Sequence, residues 1–418
     1  MNTTSPHQEP SVTRTATSPA RSTPPPGTEL LSEEHQRLAA RVRDFADEVV
    51  APASYTYDTE RRLPMEILAE MGAMGLFGLP LPRTYDGQGR DYLSLCVAVE
   101  QLARVDQSIA VTLEAGLGLG AMPILTFGTA AQKERHLPAL ARGEQLAAFG
   151  LTEAEAGSDA GGIRTTARLE DGHWVIDGTK QFITNSGTPI TSLVTITAVT
   201  GQRQGRDGRS APELSSIIVP TDTPGFTVLP GYDKVGWHTS DTHPLLLEGV
   251  RVPDENLLGE RGRGFANFLA ILDQGRVALA ALCVGAAQGC LEQAVRYARE
   301  RVVFGRALGE NQHIAFTLAR MQARVASARA LMHEAAHRLD AGMSFSREAS
   351  LAKLVGSEAA VANARDACQI WVGNGFLNEN VVARHYRDSR VLEVGEGSTE
   401  VQLAIIAKHL GFPNALTG

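Results

Sequence analysis

Cysteine is scarce in this chain of 418 residues, which has only four. Cys96, Cys283, Cys290 and Cys368 stand far apart and form no Cys-x-x-Cys pair. That pattern argues against a disulfide framework and against a thiolate zinc site, so a reducing compartment, the cytoplasm, is expected. No stretch is basic enough to follow a nucleic-acid backbone. The 47 acidic and 39 Lys and Arg residues are interleaved, for a formal net charge of -8. No apolar run reads as long enough to cross a bilayer, so no membrane span is expected. Proline is missing over one long interval, between Pro253 and Pro413. An interior proline costs a helix about 3 kcal/mol, so the gap predicts several long helices there. What the chain does have is apolar residues, 43% of the total, and length enough for more than one domain.

Four zones follow from local pattern. Residues 1–28 are rich in Ser, Thr and Pro and nearly free of large apolar side chains, which predicts a disordered tail. The tail has no hydrophobic segment of a secretory signal. A transit peptide stays open, since Arg14 and Arg21 outnumber Glu9, although its prolines oppose an amphipathic helix. Residues 29–146 read as a helical domain. Leu38, Val42, Phe45 and Val49 share one face, Ser32 is the expected N-cap and Pro52 the expected stop. Pro64 is expected to open the next helix, and the periodicity runs on to about residue 146. Residues 147–260 read as a β-sandwich or barrel. His173–Ile183 is expected to form two strands joined at an Asp177-Gly178 turn, and four more β-prone runs follow. Residues 261–418 read as a helical bundle of four helices. The fold class is therefore α+β, in the order helical, β, helical.

Gly116, Gly118 and Ala121 satisfy a dinucleotide fingerprint, but helical sequence precedes them and no βα repeat follows. They are expected to be a packing cluster. Gly150-Leu151-Thr152-Glu153, Ala156-Gly157-Ser158-Asp159 and Phe182-Ile183-Thr184 carry more. Taken alone they read as a polar turn region, with hydroxyls and exposed backbone N–H groups suited to a flat polar cofactor. Arg301, Phe304, Gly305 and Gln312 read as a helix end with a surface arginine. Glu396, just before Val401–Leu410, reads as an acid at a helix N-terminus. In this order and spacing, together with Gln369 through Arg384 to Asp388, the segments resemble the acyl-CoA dehydrogenase family over about residues 29–412. Val372 departs from that pattern by replacing a glycine. Gly395 replaces a common aromatic, and Ser398-Thr399 inverts the usual order.

The resemblance implies FAD as cofactor and α,β-desaturation of an acyl thioester, with Glu396 removing the α-proton and the flavin taking the hydride. It assigns Phe149, Leu151, Thr152, Phe182 and Thr184 to the cofactor, together with Ser398 and Glu400. Arg301, Phe304, Gln312, Gln369 and Gly373 are assigned to the FAD of a neighbouring subunit, which implies a homotetramer. Ser158, Asp273, Arg276 and Gly397 are assigned to the substrate, an acyl-CoA or an acyl-carrier thioester. An electron-transferring flavoprotein is the implied acceptor. Some members carry the base on the helix before the substrate arginine; here that position is Gly275, which cannot act. The stretch Trp237–Thr242 matches a substrate-side loop. No metal is expected, because His238 and His243 lack a third ligand. Two other outcomes stay open: an oxygen-using oxidase or monooxygenase of the same fold, and a non-catalytic acyl-CoA-binding homologue.

Overall fold

A computed structural model describes residues 30–204 and 210–412; the tail at residues 1–28 lies outside them. The first helix, α1 (Glu33–Phe45), starts where Ser32 accepts a hydrogen bond from the N–H of His35, and buries Leu38, Val42 and Phe45. Pro52 does not stop the chain. A π-helical stretch at Ala46–Val50 runs straight into α2 (Ala51–Glu60), whose first turn holds the proline. A first-turn residue is where the missing N–H of proline is least costly. The helix α3 (Met65–Ala73) opens after Pro64 as expected. Then come α4 (Tyr92–Ala103), α5 (Gln107–Glu114), α6 (Met122–Phe127) and α7 (Ala130–Ala141). Gly116 and Gly118 lie in a buried π-helical stretch, Ala115–Ala121, that joins α5 to α6, not in a turn after a strand.

The chain leaves α7 earlier than its periodicity suggests. Gly143 (φ 69°) turns it, and β1 (Leu146–Gly150) begins at Leu146. The strands β2 (Thr166–Glu170), β3 (His173–Thr184), β4 (Thr191–Gln204), β5 (Ser210–Pro220), β6 (Phe226–Val228), β7 (Thr242–Pro253) and β8 (Leu257–Leu258) follow. They form one eight-stranded sheet in the order β6-β7-β3-β2-β4-β5-β8, with β1 also on β4. β5 takes one edge of β4, while β1 and β2 both run parallel along the other, so the sheet forks there. Trp174, Ile176, Val194, Ile196, Val219 and Leu247 gather in one core.

The expected Asp177-Gly178 hairpin is not a turn. Both residues lie inside β3, and the turn between β2 and β3 is Asp171-Gly172, with φ of 49° and 73°. Gly178 answers a close approach instead: a Cβ there would stand 2.4 Å from Thr165 Oγ1. Asp177 accepts a 2.7 Å hydrogen bond from the Gly249 N–H.

The C-terminal zone begins with α8 (Gly264–Glu300). A short hairpin, β9 (Val302–Val303) and β10 (Arg306–Ala307), leads to α9 (Gln312–Asp340), α10 (Ser346–Trp371), α11 (Val381–Ser389) and α12 (Thr399–His409). α8, α9 and α10 pack on one another and α12 lies against α10, giving the expected four-helix bundle. The N-terminal helices are not separate from it. Gly285 and Gly289 of α8 admit the Glu100 and Arg104 carbonyls of α4, which added Cβ atoms would meet at 2.2 and 2.1 Å. The buried Glu100–Arg329 pair (2.9 Å) ties α4 to α9, and Asp340 accepts from the N–H groups of Tyr92 and Leu93, capping α4. One hydrophobic core runs through both sets of helices.

Two helical segments do reach the length and mean hydropathy of a bilayer span, which the sequence pattern did not suggest. They are Gln107–Phe127 and Gly264–Glu300, each at 1.6. Their apolar windows are 78% and 72% buried inside the fold, so both serve as core helices. All four cysteines are free.

Candidate active site

Glu396 sits in the short link before α12, with its backbone in the left-handed region (φ 53°) and Gly397 beside it at φ 93°. For a residue other than glycine that conformation costs roughly 1–3 kcal/mol and has to be imposed by its surroundings. Three side chains impose it. Arg276 Nε donates to the Glu396 carbonyl (3.4 Å), and Gln402 Nε2 donates to the carbonyls of Glu396 (3.3 Å) and Gly397 (2.9 Å). Lys353 Nζ donates to the Gly397 carbonyl at 2.8 Å. Lys353 and Gln402 are fully buried.

The carboxylate aims at α8. An added Cβ on Gly275 would lie 2.7 Å from Glu396 Oε2, so the glycine makes room for the acid. The alternative position for a base and the actual carboxylate therefore adjoin in space. Arg276 Nη1 pairs with Asp273 one turn back at 2.6 Å. Burial pushes the Glu396 carboxyl above its ordinary pKa; Glu114, Arg276 and Lys353 pull against that rise. Oε2 is out of solvent and has no hydrogen-bond partner.

Glu114, Lys353 and Gln402 were not foreseen as part of this site. Glu114 is the only charged residue between Gln107 and Phe127, and that isolation was the available signal. It is fully buried, and neither carboxyl oxygen has a partner. Lys353 and Gln402 sit on helical faces where nothing local marks them.

A second group surrounds the end of β1. Phe149 stacks on Phe268 with ring centroids 5.7 Å apart. Buried Lys180 donates to the Leu151 carbonyl (3.0 Å) and to Glu153 (2.7 Å), which also accepts from the N–H groups of Arg164 and Thr165. The Gln181 N–H donates to the Thr152 carbonyl, which locks β1's extension to β3. Phe182, at φ 60° and 61% exposed, stacks on Tyr232 at 5.0 Å. Thr184 pairs with Thr242 in the sheet, and Gly157 and Ser158 face open space. Ser398 stands at the N-cap position of α12 without a side-chain capping bond, and its hydrogen bond holds the exposed Glu400 carboxyl below its ordinary pKa.

Arg301, Phe304, Gln312, Gln369 and Gly373 do not join either group within one chain. All five are exposed, around the β9–β10 hairpin and the end of α10. The Trp237–Thr242 loop packs inward: the Trp237 N–H donates to Asp388 (2.6 Å), and His238 lies against Asp58 and Arg387. His243 pairs with Asp241, and no cluster of three or more metal-binding side chains occurs among the described residues. A surface cleft of about 500 Å³ beside Arg43, Gln288, Glu292 and Arg299 holds none of the expected site residues.

The order of domains, with an orphaned buried acid beside a helix-borne Arg–Asp pair, is that of a flavin-dependent thioester dehydrogenase. Models of the acyl-CoA dehydrogenase N-terminal, middle and C-terminal domains match residues 32–144, 148–250 and 262–411, so the chain belongs to the acyl-CoA dehydrogenase family. A probable acyl-CoA dehydrogenase of Bacillus subtilis, YngJ, is 43% identical over 91% of this chain and 98% of its own length. A chain solved in work on the electron-transferring flavoprotein of Acidaminococcus fermentans superposes with a TM-score of 0.87 at 36% identity, covering 91% of this chain and 98% of that one. A glutaryl-CoA dehydrogenase from Mycobacterium smegmatis in complex with FADH2 superposes at 0.86 and 30% identity, over 92% and 96%. The protein is an acyl-CoA dehydrogenase, an oxidoreductase whose cofactor is FAD. The residues present fit that group: Phe182 offers an uncovered aromatic face, and the Thr152 and Thr184 hydroxyls have no protein partner among the described residues.

Proposed function

We propose that this enzyme desaturates the α,β-bond of an acyl thioester, with Glu396 as the base that takes the α-proton. The observation that carries the reading is the Glu396 carboxylate itself. It is desolvated, its Oε2 meets no nitrogen donor, and it is fixed by a left-handed backbone that three buried side chains hold. An α-carbon is a very weak acid, and a carboxylate of raised pKa is the better base for it. A non-catalytic homologue would have no use for such an unsatisfied acid.

Other residues divide the remaining work. Arg276, braced by Asp273, lines the thioester path, and Ser158 meets the acyl carrier, CoA or a carrier protein. The Glu396 N–H is the donor for the thioester oxygen, where negative charge develops as the proton leaves. Phe149, Leu151, Thr152, Phe182 and Thr184 hold FAD, joined by Ser398 and Glu400. Bound FAD supplies the hydride acceptor. Arg301, Phe304, Gln312, Gln369 and Gly373 complete the FAD site of a second copy, which makes the working form an oligomer, a homotetramer. An electron-transferring flavoprotein takes the electrons, in the cytoplasm. Likeness to a chain from the Acidaminococcus flavoprotein work supports the acceptor.

The test is Glu396→Gln. The amide is nearly isosteric and has no useful basicity. Folding, FAD content and thioester binding are expected to survive, while anaerobic flavin bleaching slows by about 10⁴-fold, the upper end of what a general base contributes. Bleaching at the wild-type rate would move the base elsewhere.

A further inference from the structure

Glu114 and Glu396 come from distant parts of the chain and meet over one gap. Gly275 leaves the space: an added Cβ there would lie 2.7 Å from Glu396 Oε2. Gly118 leaves the rest: an added Cβ there would lie 3.3 Å from Glu114 Oε1, 3.6 Å from the Tyr92 hydroxyl and 3.9 Å from the Gly275 Cα. Tyr92 gives its own proton to the Gln274 carbonyl (2.9 Å), so its hydroxyl hydrogen is not available to either acid. Both oxygens of Glu114 and Oε2 of Glu396 are thus out of solvent with no donor. Two ionised carboxylates in that position would repel each other without any compensating hydrogen bond.

We infer that the pair holds a single proton in the substrate-free enzyme, carried by Glu114 and donated to Glu396, which makes Glu114 the positioning residue for the base. The inference rests on Glu396 being that base. One proton turns two orphaned acceptors into an O–H···O⁻ hydrogen bond, among the stronger kinds available in a protein.

The neighbouring charges decide which acid keeps the proton. α4 presents Tyr92 and Cys96, both pushed up by burial, and α9 presents Asp340, also raised by burial. α8 presents Cys283 and the Asp273–Arg276 pair, in which the charges cancel. α10 presents Lys353, and the turn before the base presents Glu393. Among the described residues, Lys353 is therefore the one cation near the acids without a carboxylate partner, and it lies on the Glu396 side, bound to the next carbonyl. The negative charge belongs on Glu396 and the proton on Glu114. The directions agree: burial and then Glu396 drive Glu114 well above its ordinary pKa, while Glu114 pulls Glu396 down.

The consequence is a base that stays ionised in a site dry enough to neutralise it. A donor that binds the charged form of an acid lowers its pKa, so losing the donor must raise it. In Glu114→Ala the acid limb of the pH profile for anaerobic bleaching should move up by about one unit or more, slowing the reaction about 10-fold below that limb and recovering above it. Glu114→Gln keeps a neutral donor and should rescue the profile; a merely structural loss would not depend on pH. Infrared spectra of the holoenzyme at neutral pH give a readout independent of turnover. In difference spectra against the wild type, where the band of buried Asp388, pushed up to about 7 by burial, cancels, the carbonyl stretch of a buried protonated carboxyl should be lost in Glu114→Gln and kept in Glu396→Gln. A Glu114→Ala profile that superimposes on the wild type, or a Glu114→Gln difference spectrum in which no carboxyl band is lost, overturns the shared proton. If Glu114→Ala does not fold, the band in Glu114→Gln decides alone. Normal bleaching by Glu396→Gln would instead remove the base assignment and leave the band assignment standing.

Discussion

At Lys353, a fully buried ammonium meets the carbonyl of Gly397 and, among the described residues, no carboxylate. Burial lowers its pKa, and the charge it keeps helps hold Glu396 ionised. Lys353→Met keeps an unbranched side chain one atom shorter and removes both the bond and the cation. The acid limb should then move to higher pH, since a cation that favours the carboxylate has gone. kcat should fall by about 10-fold while KM changes little, because the tie acts on the proposed base and not on the bound thioester. Comparing kcat with KM across pH checks it. That Glu396 and Arg276 share a site was legible because both sit in ordered motifs, and the structure brings them together. Glu114 and Lys353 were not, because their roles come from contacts across 282 and 44 positions of chain, which no local pattern records; Gln402 reaches back only five and six positions, but no motif marks it.

Elements were legible where one periodicity ruled and misread where a neighbour overrode a local preference. Ser32, Pro64 and the long helices follow from capping and composition alone. Asp177-Gly178 looked like a turn because the dipeptide favours one, yet Thr165 presses on Gly178 within a continuous strand. Pro52 looked like a stop, yet a π-helical stretch ending at Val50 leads straight into α2, which takes the proline in its first turn. The end of α10 shows the converse, a departure from the family pattern with a visible structural cost. Val372 has φ 46° and ψ −128°, a region that suits glycine, and its side chain is 60% exposed. Strain there is worth roughly 1–3 kcal/mol, and a glycine returns about 0.5–1 kcal/mol through the unfolded chain. Val372→Gly should therefore raise stability by about 1 kcal/mol and Tm by roughly 2–4 °C. Differential scanning calorimetry of the holoenzyme checks it; an unchanged or lower Tm would show that the strain is not felt.

For the molecule as a whole, the order of zones and the family were legible from three motifs in sequence. The union of the outer zones was not, because a shared core leaves no mark on either zone alone. The exposed face around Phe304 (103% exposed) and Phe376 (90%) is where a second copy is proposed to dock. Phe304→Asp puts a charge into that contact. By light scattering it should shift the protein from the proposed tetramer toward smaller species, and it should release FAD on gel filtration, since a neighbour's residues are proposed to complete the site. A variant that remains tetrameric with full FAD would place the contact elsewhere. The cap on α4 has a different outcome, one that concerns synthesis. Its first two N–H groups are held by Asp340, and its Glu100 by Arg329, both more than 220 positions later in the chain. While the ribosome is still making the β zone, α4 has neither partner, and the apolar faces meant for α8 stay uncovered. The nascent N-terminal third must therefore wait as an unfinished surface, and a message cut short before α9 would encode a polypeptide fit for chaperones and proteases rather than a smaller working protein.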